Sequence, residues 1–341
     1  MERQLLRVAS QLCEFEYQVI IISYDNVHAK SFYKIPKNIE WIKCGDGLIP
    51  HHKANIFKRI KQIYKLRKVL KDFSVTHLVS FHHGIFPRSY LGTLFLDIKN
   101  IVSERNSLSN YKYIKLKKFN LGFLSLFLAD VITVQLKSYI NDYPKLLRRK
   151  IKVVPNLLCI NSTYLEPLFD ERVVTMMGRL CPQKNFTPLL DQLLERPEIY
   201  GKLKIRIAGE GHLRKLFEIK YKKLIDNGSL ELLGNINYTK QFLRSSSIFC
   251  FPSLWEGYPN SLVEALSNGL PVVLSTRLKN LIGFVEDDVN GKIVQDSKYL
   301  DTILEMIENK NKLKLMSKES FEKYKKLRSL SSINNWINLI Y

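Results

Sequence analysis

The 341-residue chain is poor in the features that mark secreted, metal-holding or membrane-spanning proteins. Its five cysteines, Cys13, Cys44, Cys159, Cys181 and Cys250, are scattered and form no Cys-x-x-Cys pair. An odd count without a signal peptide fits reduced thiols in a cytoplasm. No stretch reaches the roughly 20 apolar residues of a membrane span, and the longest candidate, 121–134, is interrupted by Asp130. There is no Asp-x-Asp metal motif, no low-complexity tract, no internal repeat, and no helix-turn-helix, zinc or RNA-binding signature. Acids are also scarce: 32 Asp and Glu face 53 Lys and Arg, a net charge of +21.

An apolar content of 45% describes a globular chain, long enough for two domains of about 150 residues each. The charge is uneven. Residues 1–155 hold 27 Lys and Arg against 11 acids, or +16, which leaves +5 for the rest. Within 51–71, eight Lys and Arg interleave with Ile56, Phe57, Ile60, Ile63, Tyr64, Leu66, Val69 and Leu70; within 111–128, Lys112, Lys115, Lys117 and Lys118 mix with Tyr, Phe and Leu. Basic amphipathic segments of this kind bind anionic membrane surfaces. The alternatives are a solvated helix face over a packed core, or a nucleic-acid surface in which aromatics stack on bases. Without a nucleic-acid signature, no nucleic-acid partner is expected.

The second half repeats one design, a buried strand followed by a glycine-containing turn and a helix. The apolar run 247–251 reads as a strand buried on both faces. Gly257, Pro259 and Asn260 break the chain, Ser261 is the expected N-cap, and Gly269 with Pro271 closes the helix. A helix start beside the carboxyl end of a strand is an anion site. Glu264, one turn in, could accept hydrogen bonds from both hydroxyls of a ribose, and Glu256 could reach a hexose hydroxyl. Ser261-x-x-Glu264 is equally a capping box. A second strand, 173–177, precedes Gly178 and Arg179, then Lys184, with Thr187-Pro188 as N-cap and first-turn pair. Two cations there could neutralise a diphosphate. A third strand, from Lys204, ends in Ala208-Gly209-Glu210-Gly211.

In this order and spacing, Gly178-Arg179-Leu180, Gln183-Lys184-Asn185-Phe186, Ala208-Gly209-Glu210-Gly211, Leu233-Gly234, Glu256-Gly-Tyr-Pro-Asn-Ser-Leu-Val-Glu264-Ala265 and Gly269-Leu-Pro-Val-Val273 resemble the donor-binding domain of family 4 retaining glycosyltransferases, of GT-B architecture. The resemblance implies an α/β fold of two Rossmann-like doubly wound domains facing a cleft: an acceptor-binding domain at 1–155, a nucleotide-sugar domain at 156–328, and a C-terminal helix, 329–341, crossing back to the first, with Trp336 as packing anchor. It implies Arg179 and Lys184 on the donor diphosphate, Glu256 on the transferred sugar and Glu264 on the ribose. Gly209, Gly211, Gly257, Tyr258, Pro259, Asn260, Ser261 and Leu262 would line the nucleotide and phosphate, with Ile236 near the base. Neither cofactor nor metal is implied. The substrates would be a nucleotide diphosphate sugar, such as a UDP-sugar, and a lipid-linked saccharide in bacterial polysaccharide, capsule, lipopolysaccharide or glycan synthesis, handled on the inner face of the cytoplasmic membrane.

The first half carries strand candidates at 18–23, 77–81, 100–103 and 130–134, alternating with helical stretches such as 56–70. Where many relatives place a histidine after the strand, this chain has Ser103-Glu104-Arg105. Glu104, Arg105, His82 and His83 are candidates for the acceptor or donor-sugar side, the histidines equally for hydrogen-bonded loop residues. A doubly wound domain opens on a central strand, yet this chain opens on an amphipathic helix with Leu5, Leu6, Val8, Ala9 and Leu12 on its apolar face. The first strand is therefore expected to be missing, through a misassigned start or a truncated gene; the latter would leave an inactive donor-binding remnant. Another GT-B enzyme, a sugar-nucleotide epimerase or a phosphorylase, is the enzymatic alternative.

Overall fold

The structure, a computed structural model, describes residues 2–31, 33–45, 55–111, 119–158, 163–169, 172–281 and 283–341. They fall into two compact units: Met1–Leu158 with Ser331–Tyr341, and Cys159–Leu330. Cys159 and the lysines at 112, 115, 117 and 118 lie outside the described residues, as does His51–Ala54.

The second unit is one six-stranded parallel sheet of β7 (Val173–Met177), β8 (Lys204–Ala208), β9 (Leu230–Gly234), β10 (Ile248–Phe251), β11 (Val272–Ser275) and β12 (Gly291–Val294). Its order is β12-β11-β10-β7-β8-β9. Every residue of β10 and β11 is buried, which is why they read as unbroken apolar runs: helices cover both faces of a parallel sheet. From β7 the chain steps outward through β8 and β9, then returns to the other side of β7 as β10. The reversal puts a topological switch point between the carboxyl ends of β7 and β10, where doubly wound sheets hold ligands.

Among the described residues the first unit has six strands in two parallel pieces. One pairs β1 (Ile20–Ser23) with β2 (Glu40–Lys43); the other runs β3 (His77–Phe81), β4 (Lys99–Ser103), β5 (Val131–Val134), β6 (Ile151–Val153). In the doubly wound order 3-2-1-4-5-6 the first strand lies between the second and the fourth. Here β1 and β3 are the two strands that would flank it, and among the described residues no strand joins them. Both are half-buried along most of their length, whereas β4 is almost wholly buried. Helices hold the pieces together. Leu66 and Leu70 of the helix Ile56–Asp72 share a cluster with Ile22 of β1 and Leu78 of β3. Val8 and Leu12 of the helix Glu2–Glu14 share another with Val19, Val79 and Phe81. On that first helix Gln4, rather than Leu5 or Leu6, is buried, because its Nε2 donates to Leu157 O at 3.1 Å.

The C-terminal helix Asn334–Ile340 belongs to the first unit. Trp336, 2% exposed, stacks on Phe81 with ring centroids 6.0 Å apart and joins the cluster of Val8, Leu12, Ile101 and Leu157. Trp336→Ala is expected to destabilise this unit by about 3–5 kcal/mol, measured as a lowered urea midpoint of its unfolding transition.

Candidate functional site

Three turns meet at the carboxyl ends of β10, β7 and β8, neighbours in that order. The turn after β7 begins at Gly178, with φ of 154°, and its N–H donates to Ala208 O. Gly209, with φ of 146°, sits so close that a Cβ there would lie 2.0 Å from Gly178 O; one on Gly211 would lie 2.3 Å from Leu180 O. The glycines therefore let two backbones touch. The contact is locked by Leu180 N–H donating to Glu210 O at 3.0 Å, and on its far side Gly209 N–H donates to Gly234 O, at the end of β9, at 2.8 Å. Glu210 itself pairs with Arg214 at 2.5 Å.

On the other side, the β7 turn is stitched to the loop after β10. Leu254 N–H donates to Gln183 O at 2.9 Å, Gln183 Nε2 to Trp255 O at 2.8 Å, and Asn185 Nδ2 to Pro252 O at 3.3 Å. Asn185 adopts the left-handed conformation, φ 52°, which asparagine tolerates. The fourth link is ionic: Lys184 Nζ lies 2.5 Å from Glu256 Oε1, both side chains largely buried. Gln183 and Asn185 stand in the sequence pattern without a role; their function as stitches depends on β7 and β10 being adjacent, which no local signal reveals.

The helix Asn260–Ser267 follows directly and corrects two sequence expectations. Its N-cap is Pro259, with no side-chain cap, so Ser261 lies inside the first turn rather than at the N-cap position that a Ser261–Glu264 capping box needs. Pro259 itself stays outside the helix, with φ −83° and ψ 69°. The helix Thr187–Leu194 likewise starts earlier than expected, with Phe186 rather than Thr187 as its N-cap and Pro188 in its first turn. Glu264 is half-buried, one turn from the helix start. Glu256, Gly257, Tyr258 and Pro259 are buried and Asn260 and Ser261 half-buried; Leu262 packs in the core. Burial pushes the Tyr258 phenol far above its ordinary pKa, and its ring meets Phe284 edge-on at 5.7 Å. Ile236, half-buried, follows Gly234 at the end of β9. Arg179 is exposed and takes part in none of these contacts.

The structure thus brings Lys184, Glu256, Gly209 and Gly211 into one set of touching turns, with Gly257–Leu262 on the adjoining loop and helix start. Among the described residues, no three His, Cys, Asp or Glu side chains converge in a way that would hold a metal ion.

The first-unit candidates form their own cluster at the carboxyl ends of β3 and β4. Glu104, 1% exposed, accepts from the His83 backbone N–H at 2.7 Å and lies 2.9 Å from His83 Nδ1 through both oxygens. His82 is strained at φ 99° and stacks on His83 with centroids 4.3 Å apart. Gly84 N–H donates to His82 Nδ1 at 2.8 Å, which leaves the ring proton on Nε2 to meet the Tyr111 hydroxyl at 2.9 Å. Burial holds His82 below the ordinary histidine pKa, with Glu104 pulling the other way. Arg105 donates to Asn156 Oδ1 at 2.6 Å and faces Phe81, and burial lowers it to about 10.

Residues 166–323 match the family described as Glycosyl transferases group 1. An uncharacterized glycosyltransferase of Methanocaldococcus jannaschii is 32% identical in an alignment that covers 64% of this chain and only 59% of that protein. The UDP-Gal:alpha-D-GlcNAc-diphosphoundecaprenol alpha-1,3-galactosyltransferase of Escherichia coli is 26% identical over 71% of this chain and 68% of its own length. Among solved structures, Anabaena HepE in complex with UDP-glucose superposes with a TM-score of 0.77 at 14% identity, over 99% of this chain and 94% of that one, a likeness of fold. The stitched turns lie within the stretch that matches the glycosyl transferases group 1 model, and the chain, similar to these glycosyltransferases in sequence, has the GT-B fold.

Proposed function

We propose that this chain is a family 4, retaining, metal-independent glycosyltransferase that moves a hexose or N-acetylhexosamine from a UDP-sugar to a lipid-linked saccharide. The observation that carries this reading is the junction of the β7 and β10 turns, where an ammonium, a carboxylate and a helix N-terminus share the switch point. Lys184 and the N–H groups of the helix Asn260–Ser267 take up the charge that gathers on the leaving diphosphate, Glu256 holds the sugar, and Glu264 the ribose. Arg179, exposed in the turn before Lys184, adds a second cation when its side chain closes on the phosphates. The acceptor hydroxyl attacks from the face the phosphate leaves and passes its proton to a phosphate oxygen. We assign the His83–Glu104 pair and its neighbours to the acceptor or donor-sugar side. The donor and acceptor classes named for the Escherichia coli relative support both substrate choices. Calorimetry with UDP-, GDP- and ADP-sugars, with and without EDTA, followed by transfer to diphosphoundecaprenol-linked saccharides, tests the reading. Selective UDP-sugar binding that survives EDTA, and an α-linked product, are expected; an inverted linkage or EDTA-abolished transfer would refute the finer assignment.

A lipid-borne acceptor calls for a membrane-facing surface, and the first unit offers one. On the helix Ile56–Asp72, Leu66 and Leu70 are buried, but Ile56, Phe57, Ile60 and Tyr64 near its start are exposed, Phe57 by 78%. They are interleaved with Lys58, Arg59, Lys61, Lys65 and Lys68. Among the described residues no helix is long and apolar enough to cross a membrane, so contact would be peripheral. At about 1 kcal/mol per basic residue near an anionic surface, this chain should sediment with phosphatidylglycerol vesicles and not with phosphatidylcholine ones. Phe57→Ser with Ile60→Ser should cut that binding at least tenfold, as should raising the salt to 0.5 M (about the level at which such attraction is screened). Equal binding to both vesicle types would dismiss the surface.

A further inference from the structure

Two groups that the donor reading assigns to different parts of the substrate are in contact with each other. Lys184 Nζ lies 2.5 Å from Glu256 Oε1, with side-chain exposures of 13% and 8%. The lysine stem is laid across Gly178, where a Cβ would stand 2.6 Å from Lys184 Cε, and the ammonium sits 5.5 Å from the centre of the Phe251 ring. Its reach toward Glu256 is thus built by the glycine turn and the end of β10. A diphosphate entering this junction brings its own negative charge to the same ammonium.

We propose that Glu256 and the donor's diphosphate compete for Lys184. The carboxylate holds the ammonium in place until a nucleotide diphosphate arrives; the phosphate oxygens then draw Nζ away, and the carboxylate turns to accept a hydroxyl from the sugar. This inference rests on the donor-site reading above. It gives Glu256 two effects of opposite sign: it weakens binding of the nucleotide diphosphate alone and strengthens binding of the sugar that the nucleotide carries. After transfer the sugar leaves with the acceptor, Glu256 loses its hydroxyl partner and reclaims Lys184, which favours release of the spent nucleotide.

The test is calorimetric titration of UDP, with GDP and ADP in parallel, into wild type, Glu256→Gln, Lys184→Met and the double variant. Glu256→Gln should bind UDP about tenfold more tightly, the scale of one charge-assisted contact, while its turnover of the sugar-bearing donor falls. In the Lys184→Met background the same substitution should change UDP affinity less than twofold, because the competitor for the ammonium has nothing left to compete for. Glu256→Ala serves the same comparison should the glutamine variant fold poorly. Wild-type binding with no tightening in Glu256→Gln or Glu256→Ala, or equal tightening without Lys184, would overturn the competition and leave the donor site standing. If wild type binds none of the three nucleotides while melting as a folded protein, the donor-site reading fails and the inference with it.

Discussion

Alanine at position 184 is expected to lower kcat/KM for transfer by about 10² or more, the loss that follows removal of one preorganised charge from a developing anion. The placement of Lys184 is the reason. Its stem is confined over Gly178 and its ammonium is largely buried, so the charge acts at short range with little reorganisation. Arg179→Ala should fall in the same direction, but it is exposed and belongs to none of the stitches. Part of its contribution is therefore spent on ordering a free side chain, and the lysine loss should be the larger. Steady-state kinetics on both variants decide the order. Near-normal turnover in both would refute the assignment of the diphosphate to this junction.

The second large effect is expected from Gly209→Val. Any Cβ there would stand 2.0 Å from the carbonyl oxygen of Gly178, and φ is 146°, so the backbone of two turns must move. Such a displacement costs several kcal/mol and pulls the β7 turn, with Lys184, out of register. The melting temperature of the second unit should drop by about 10 °C, and UDP binding should disappear even where the variant stays folded in the cold. Gly201→Ala is the control. Its φ of 74° is also left-handed, but nothing lies within 4 Å of the added carbon, so it should cost only the strain of about 1 kcal/mol. Differential scanning calorimetry on the two variants separates close approach from conformational strain. Equal shifts would remove the case for backbone contact at the site.

Much of this architecture is written in local pattern. The strands 77–81 and 173–177 fall where their apolar residues and flanking breaks put them; 173–177 is almost wholly buried, as a central parallel strand requires, and 77–81 is half-buried. β2 escapes that reading, since Glu40-Trp-Ile-Lys43 offers two apolar residues between charges and lies at the edge of its sheet. Two helix starts fall one or two residues ahead of the hydroxyl expected to cap them, at Phe186 before Thr187 and at Pro259 before Ser261. At the site, the residue types were legible and their partnerships were not. Lys184 and Glu256 are 72 positions apart, and only the return of the chain to β10 beside β7 makes them neighbours. The pairing of His83 with Glu104 likewise follows from β3 lying against β4 in register, His77 opposite Lys99.

The account stands on the claim that the β7 and β10 turns grip a nucleotide diphosphate, and a crystal structure of this protein with bound UDP tests it most directly. Phosphate oxygens at about 3 Å from Lys184 Nζ and from the first N–H groups of the helix Asn260–Ser267, with Glu264 on the ribose hydroxyls, are the predicted result. A nucleotide seated anywhere else on the molecule, with Lys184 and Glu264 making no contact to it, would contradict the account.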